Sequence, residues 1–184
     1  VDDDATVADY ERCAMLRFRN PDAATGHHDD LGDAEAEIDL AAWVDRVPVG
    51  WDASPLAGAS VPGWNVGARR TDGLRDTVTD AIALARLTLN QAPVHRDPVL
   101  GPDGRRLVYG GHTIGLAQAS LTRMFPDTAT VLGWQACDHL APVFEKDVLG
   151  FHHTLLDEQS AAGGRLRAIR VEVDAQGGDD PPRP

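Results

Sequence analysis

Two short stretches place side chains and backbone groups where they can do chemistry. Asn90-Gln-Ala-Pro-Val-His95 closes a helical pattern with an amide and an imidazole near one another. Leu107-Val-Tyr-Gly110-Gly111-His112-Thr-Ile-Gly115 then opens a second helical pattern with a glycine pair. An imidazole titrates close to neutral pH, so His95 can take a proton and return it. Amides at a helix start have no acceptor within the helix and lie at the positive end of its dipole, so they can bind an oxyanion. A general base beside an oxyanion hole is the minimum equipment for chemistry next to a thioester carbonyl.

These groups need elements to hold them. Val78, Ile82, Ala85 and Leu89 recur at helical spacing after Thr71-Asp72-Gly73, and Pro93 stops the run. A second helix is expected from about His112 to Phe125, presenting Ile114, Ala117, Leu121 and Met124, and ending at Pro126. Its Gly115 and Ala119 would let a sheet approach closely. Three strands are expected after it, over Thr130–Cys137, Asp147–Leu156 and Arg165–Val173, with Ser160–Gly164 as the last turn. Helix, helix and then an antiparallel meander indicate an α+β domain with a central helix against a curved sheet.

Upstream, Tyr10–Arg19 has strand character and stops at Asn20-Pro21. Residues 20–70 read as a long connection rich in Asp, Ala, Gly and Pro, with a short helix over Ala34–Val44. So long a loop is improbable inside one compact domain, which favours a linker. The expected division is therefore 1–19 as the last strand of a preceding unit, 20–70 as linker, 71–174 as the domain and 175–184 as a polar, Pro-rich tail.

At 184 residues and 42% hydrophobic content, the chain can bury one sizeable core. A formal net charge of −12 and a pI near 4.8 argue against nucleic acid as a partner. No stretch approaches the roughly 20 apolar residues of a membrane span. Cys13 and Cys137 are too few and too far apart for a disulfide framework, so a reducing cytosol is the expected setting. His112, His139, His152 and His153 lack metal-ligand spacing, and no metal or cofactor is expected. The opening Val-Asp-Asp-Asp is neither a signal peptide nor an initiator methionine, and the chain reads as part of a longer protein.

The Leu107–Gly115 segment, followed by Val131-Leu-Gly-Trp134, Cys137-Asp-His139 and Ala141-Pro-Val-Phe-Glu-Lys-Asp147, resembles the MaoC-type hot-dog hydratases. The hallmark loop of that family, Gly-Asp-x-Asn-Pro-(Ile/Val)-His, is matched at Pro93, Val94 and His95. Asn90 stands where the family has its catalytic Asp, and Ala92 where it has Asn. The likeness is greater to the double-hot-dog branch that includes mesaconyl-CoA hydratase, in which one chain carries two hot-dog halves. On that resemblance Tyr10–Arg19 closes a first half and residues from 71 onward form most of a second. A further closing strand would normally follow Val173, where this chain instead runs into Pro-Pro-Arg-Pro.

The resemblance implies an (R)-specific enoyl-CoA hydratase/dehydratase acting on an acyl-CoA thioester, without a cofactor. The partner would be another hot-dog half or a second copy in a homo-dimer. His95 would be the base, while Asn90 could hold a water but not take its proton. Gly110, Gly111 and His112 would supply the oxyanion site. Two rivals stay open: a non-catalytic acyl-CoA-binding or structural half, which the Asn90 and Ala92 departures favour, and a hot-dog thioesterase, which normally wants a carboxylate near the thioester. Asp97 and Asp138 are candidates for a relocated acid, though Asp97 also suits a turn before Pro98. Arg105 and Arg106 could meet CoA phosphates or simply be solvated. Trp134 and Phe144 read as core.

Overall fold

The computed structural model describes residues 20, 22–24, 26 and 37–177. Val1–Asp33 and Ala34–Pro184 form separate compact units. Within the first, the described residues show a turn in which the Ala23 amide donates to the Asn20 carbonyl. Tyr10–Arg19 lies outside the described residues.

In the second unit a long hairpin organises everything else. Strand β3 (Val148–Ala161) and strand β4 (Gly164–Gln176) pair antiparallel along nearly their whole lengths. Ala162 and Gly163 join them, both with positive φ (49° and 70°), as a two-residue hairpin turn requires. Two short strands, β1 (Arg69–Thr71) and β2 (Asp76–Thr77), pair antiparallel with the opposite edge of β3. Helix α1 (Leu40–Val44) and a 3-10 turn at Ser54–Ala59 pack on the hairpin, so this part of the expected connection lies on the sheet.

Alternation along β3 turns Leu149, Phe151, His153 and Leu155 inward, all buried, until a bulge between Leu155 and Asp157 shifts the register. Leu149, Phe151, Val78, Ala81, Val108 and Ala175 make one apolar cluster. Helix α3 (Gly110–Met124) lies against β3 and β4 and adds Leu116 and Ala117 to that cluster. The helix stops at Phe125, which is buried with its ring stacked on Trp64 at 4.3 Å, just before Pro126. A long helix on an antiparallel sheet is the α+β arrangement expected.

Four local expectations are corrected. The run from Val78 to Leu89 is helical only over Ala81–Leu87 (α2), because Val78 is bonded into the end of the sheet through Asp147 and Lys146. Leu89 is 74% exposed, with a positive φ. Thr130–Cys137 is not a strand, since it finds no ladder among the described residues. The inward face of α3 is also rotated from the expected one. Thr113 and Ser120 are its buried residues, Ile114 and Leu121 are half-buried, and Gly115 and Ala119 face outward. Polar bonds at Ser120, described below, turn that face in. Phe144 is core as expected, but Trp134 is 62% exposed.

Candidate active site

Asn90 and His95 sit just beyond α2. The Asn90 amide N–H donates to the Ala85 carbonyl, finishing the helix, and its side-chain Oδ1 accepts from the Ala92 amide at 2.9 Å. Pro93–His95 then forms one 3-10 turn that carries the imidazole back toward the chain. Arg96 closes the loop by donating from Nε to the Asn90 carbonyl.

The half-buried His95 imidazole reaches the Leu107 carbonyl with Nδ1, at 2.8 Å. A carbonyl can only accept, so Nδ1 carries a proton, and in the neutral imidazole Nε2 is the nitrogen that keeps its lone pair. Tyr109 stands beside the same ring, with centroids 5.9 Å apart. His95 is thereby placed two residues from the segment that opens α3.

At that opening the His112 amide donates to the Tyr109 carbonyl at 2.8 Å, so it is engaged within the first turn. Among the described residues, no backbone hydrogen bond uses the Gly110 or Gly111 amide. The glycines have steric reasons as well. A side-chain carbon on Gly111 would meet the Tyr109 ring at 2.6 Å, and one on Gly110 would meet the His139 ring at 2.6 Å. The His112 side chain packs inward with Nδ1 unpartnered, and burial lowers its pKa against an opposing pull from Asp80.

The other candidates have defined places. Asp97 caps the next 3-10 turn by accepting from the Val99 amide, and Asp138 lies exposed. Arg105 pairs with buried Asp147 at 3.0 Å, and Arg106 pairs with Glu145 at 3.1 Å, so both guanidiniums serve the fold. Cys137 is a free, exposed thiol. No cluster of metal-ligating side chains occurs among the described residues, and no helix there is long and apolar enough to cross a membrane.

Sequence reading missed an interior polar network. Ser120 on α3 donates to Asp72 Oδ2 at 2.7 Å and meets His153 Nε2 at 2.8 Å. Arg123 closes it with bonds to Asp72 and Asp76. Burial raises the Asp72 pKa, but the Leu74 amide, the Ser120 hydroxyl and Arg123 outweigh it and hold the carboxyl below its ordinary value. All of these residues are buried or partly buried, so the network joins helix to sheet rather than facing a substrate.

An open groove of about 1330 Å³ runs along Ile114, Ala117 and Leu121 and is bounded by Val173 on β4. It does not contain Asn90, His95, Gly110 or Gly111.

No family model matches the chain. Over 102 residues it is 32% identical to mesaconyl-CoA hydratase of Cereibacter sphaeroides, covering 55% of this chain and 30% of that protein. A conserved hypothetical protein of Mycobacterium tuberculosis, described as having a double hotdog fold, superposes with a TM-score of 0.63 at 41% identity. That match covers 73% of this chain and 42% of the other. A protein of Chloroflexus aurantiacus described as a MaoC domain dehydratase superposes with a TM-score of 0.61 at 28% identity, covering 90% of this chain and 50% of the other. The chain thus spans half or less of the length of each of these relatives. By sequence and by its helix-on-sheet fold, the chain is a hot-dog relative of the MaoC-like hydratases.

Proposed function

We propose that this chain is the catalytic half of an (R)-specific enoyl-CoA hydratase/dehydratase, which adds or removes water across the 2,3 double bond of an acyl-CoA thioester. One observation carries the reading: the Leu107 carbonyl holds the His95 Nδ1 proton, which leaves Nε2 as the base of the neutral imidazole, while no backbone hydrogen bond among the described residues uses the Gly110 or Gly111 amide at the start of α3. In hydration, Nε2 takes a proton from water as the water oxygen bonds to C3. The displaced electron pair moves through C2 onto the thioester oxygen, where the Gly110 and Gly111 amides stabilise the enolate. Returning a proton to C2 completes the addition and restores the base. Asn90 Oδ1 already accepts from the Ala92 amide, and its second lone pair and the Nδ2 amide hydrogens can help hold the water.

The second copy or other hot-dog half implied by the longer relatives would complete the substrate site. A non-catalytic acyl-CoA-binding role is the rival reading, and it is favoured by the fact that a backbone carbonyl, not a carboxylate, is what holds His95. The two readings separate when the purified full chain is mixed with a panel of enoyl-CoA esters and enoyl-thioester absorbance is followed. The hydratase reading expects turnover that His95→Ala abolishes. Binding of CoA esters without turnover of any of them would leave the binding role in its place.

A further inference from the structure

Asp147 lies away from the loop that carries His95, yet a continuous series of bonds joins them. Its carboxylate is fully buried, accepting from the Phe144 amide at 2.9 Å and from Arg105 at 3.0 Å. Arg105 also lies over the Phe144 ring, 3.9 Å from its centroid. One side chain therefore fixes both strands of a short antiparallel bridge between Leu107 and Phe144.

The bonds of that bridge run from Val108 N to the Val143 carbonyl and from Glu145 N to the Arg106 carbonyl. In such a register the N–H and C=O of the central residue point away from the partner strand. The Leu107 carbonyl is thus turned outward, and it is this carbonyl that accepts the His95 Nδ1 proton. Sliding the bridge by one residue would aim the Leu107 carbonyl at the partner strand instead. The imidazole would then lose the acceptor that decides which nitrogen is bare. The same strand enters Gly110 three residues later, so the bridge also places the glycine pair.

We infer that Asp147 is a positioning residue for the base: by holding the Phe144 turn and Arg105 it sets the Leu107 carbonyl, and through it the His95 tautomer. The inference rests on His95 being the base, but its test does not depend on turnover. The tautomer is read from long-range 1H–15N correlation spectra of the full chain, with the His95 signals assigned by their loss in His95→Gln. The wild type should show a protonated Nδ1 and a bare Nε2.

Asp147→Ala should give averaged nitrogen signals as the second tautomer becomes populated. Asp147→Asn keeps an acceptor for the Phe144 amide and should restore most of the wild-type pattern. Ser120→Ala, a buried change outside this bridge, should lower stability and leave the tautomer alone. If the wild type turns over an enoyl-CoA, Asp147→Ala should lower kcat about 100-fold with little change in KM, the scale of a misplacement near 1 Å. A folded Asp147→Ala protein with an unchanged His95 tautomer would overturn the inference, as would equal loss of the tautomer in Ser120→Ala. Should Asp147→Ala not fold, Arg105→Gln carries the same expectation and the same refutation. Tautomer loss in Asp147→Ala alongside an inactive wild type would sustain this inference while sinking the hydratase reading.

Discussion

Ser120→Ala removes a hydroxyl that is fully buried between Asp72 and His153. The direction of each bond follows from charge. Asp72 is held ionised and can only accept, so the hydroxyl proton goes to Asp72 and the His153 Nε2 proton goes to the hydroxyl oxygen. Deleting the hydroxyl leaves Asp72 with Arg123 and the Leu74 amide, but leaves the His153 ring with no partner at all, because its Nδ1 already has none. An orphaned buried donor costs about 1–3 kcal/mol. Alanine's better helix propensity offsets about 0.5 kcal/mol of that. The expected net loss is about 1–2 kcal/mol, measured by urea unfolding at pH 7.5 with helix content as the signal. Combining Ser120→Ala with His153→Leu should cost clearly less than the sum of the two single changes, since both polar partners are then gone. A single variant within about 0.5 kcal/mol of wild type, or strict additivity in the pair, would refute the bond assignment.

Acid should weaken the fold before its carboxylates titrate. His153 is lowered in pKa by burial, partly opposed by Asp72, with His152 and Arg123 lowering it further, and His112 is lowered by burial. Because the unfolded chain binds these protons more readily, stability is complete above pH 6.5 and falls as pH drops from there toward the folded values. Each group adds at most about 1.4 kcal/mol per pH unit, so urea midpoints between pH 7.5 and 5 measure the loss, and a flat profile would contradict it. At the helix start, Gly111→Ala should leave stability within about 1 kcal/mol, yet push the Tyr109 ring from its place beside His95. Turnover of a responsive enoyl-CoA should drop at least tenfold, and an unchanged kcat would remove Tyr109 from the site.

The parts of this structure that can be read locally are those whose signals lie within one element. Helix α3 begins at a glycine pair, keeps one period and stops beside a proline, so its limits were expected within two residues. The β3–β4 hairpin has two strand-like runs and an Ala-Gly turn, though its strands extend further than expected because each lends the other a ladder. Strands β1 and β2 could not be seen that way. They are three and two residues long, and only the edge of β3 makes them strands. Thr130–Cys137 fails for the converse reason, having strand-like composition and no ladder among the described residues.

Which way a helix faces, and which nitrogen of a histidine is bare, are decided over longer distances. Ser120 was not among the residues expected on the inward face of α3, and it is Asp72 and His153, 48 and 33 positions away, that satisfy it there. Burying a hydroxyl is unfavourable alone and acceptable once it is bonded on both sides, so the network rotates the helix and leaves Ile114 and Leu121 along the groove. His95 follows the same logic. The residue type was visible in the loop, but its tautomer depends on a carbonyl 12 positions away, aimed by a bridge whose other strand lies a further 37 positions on. Asp147 appeared in the sequence as the end of a motif and the start of a strand. Its bonds to Phe144 and Arg105 make it the link between that motif and the base.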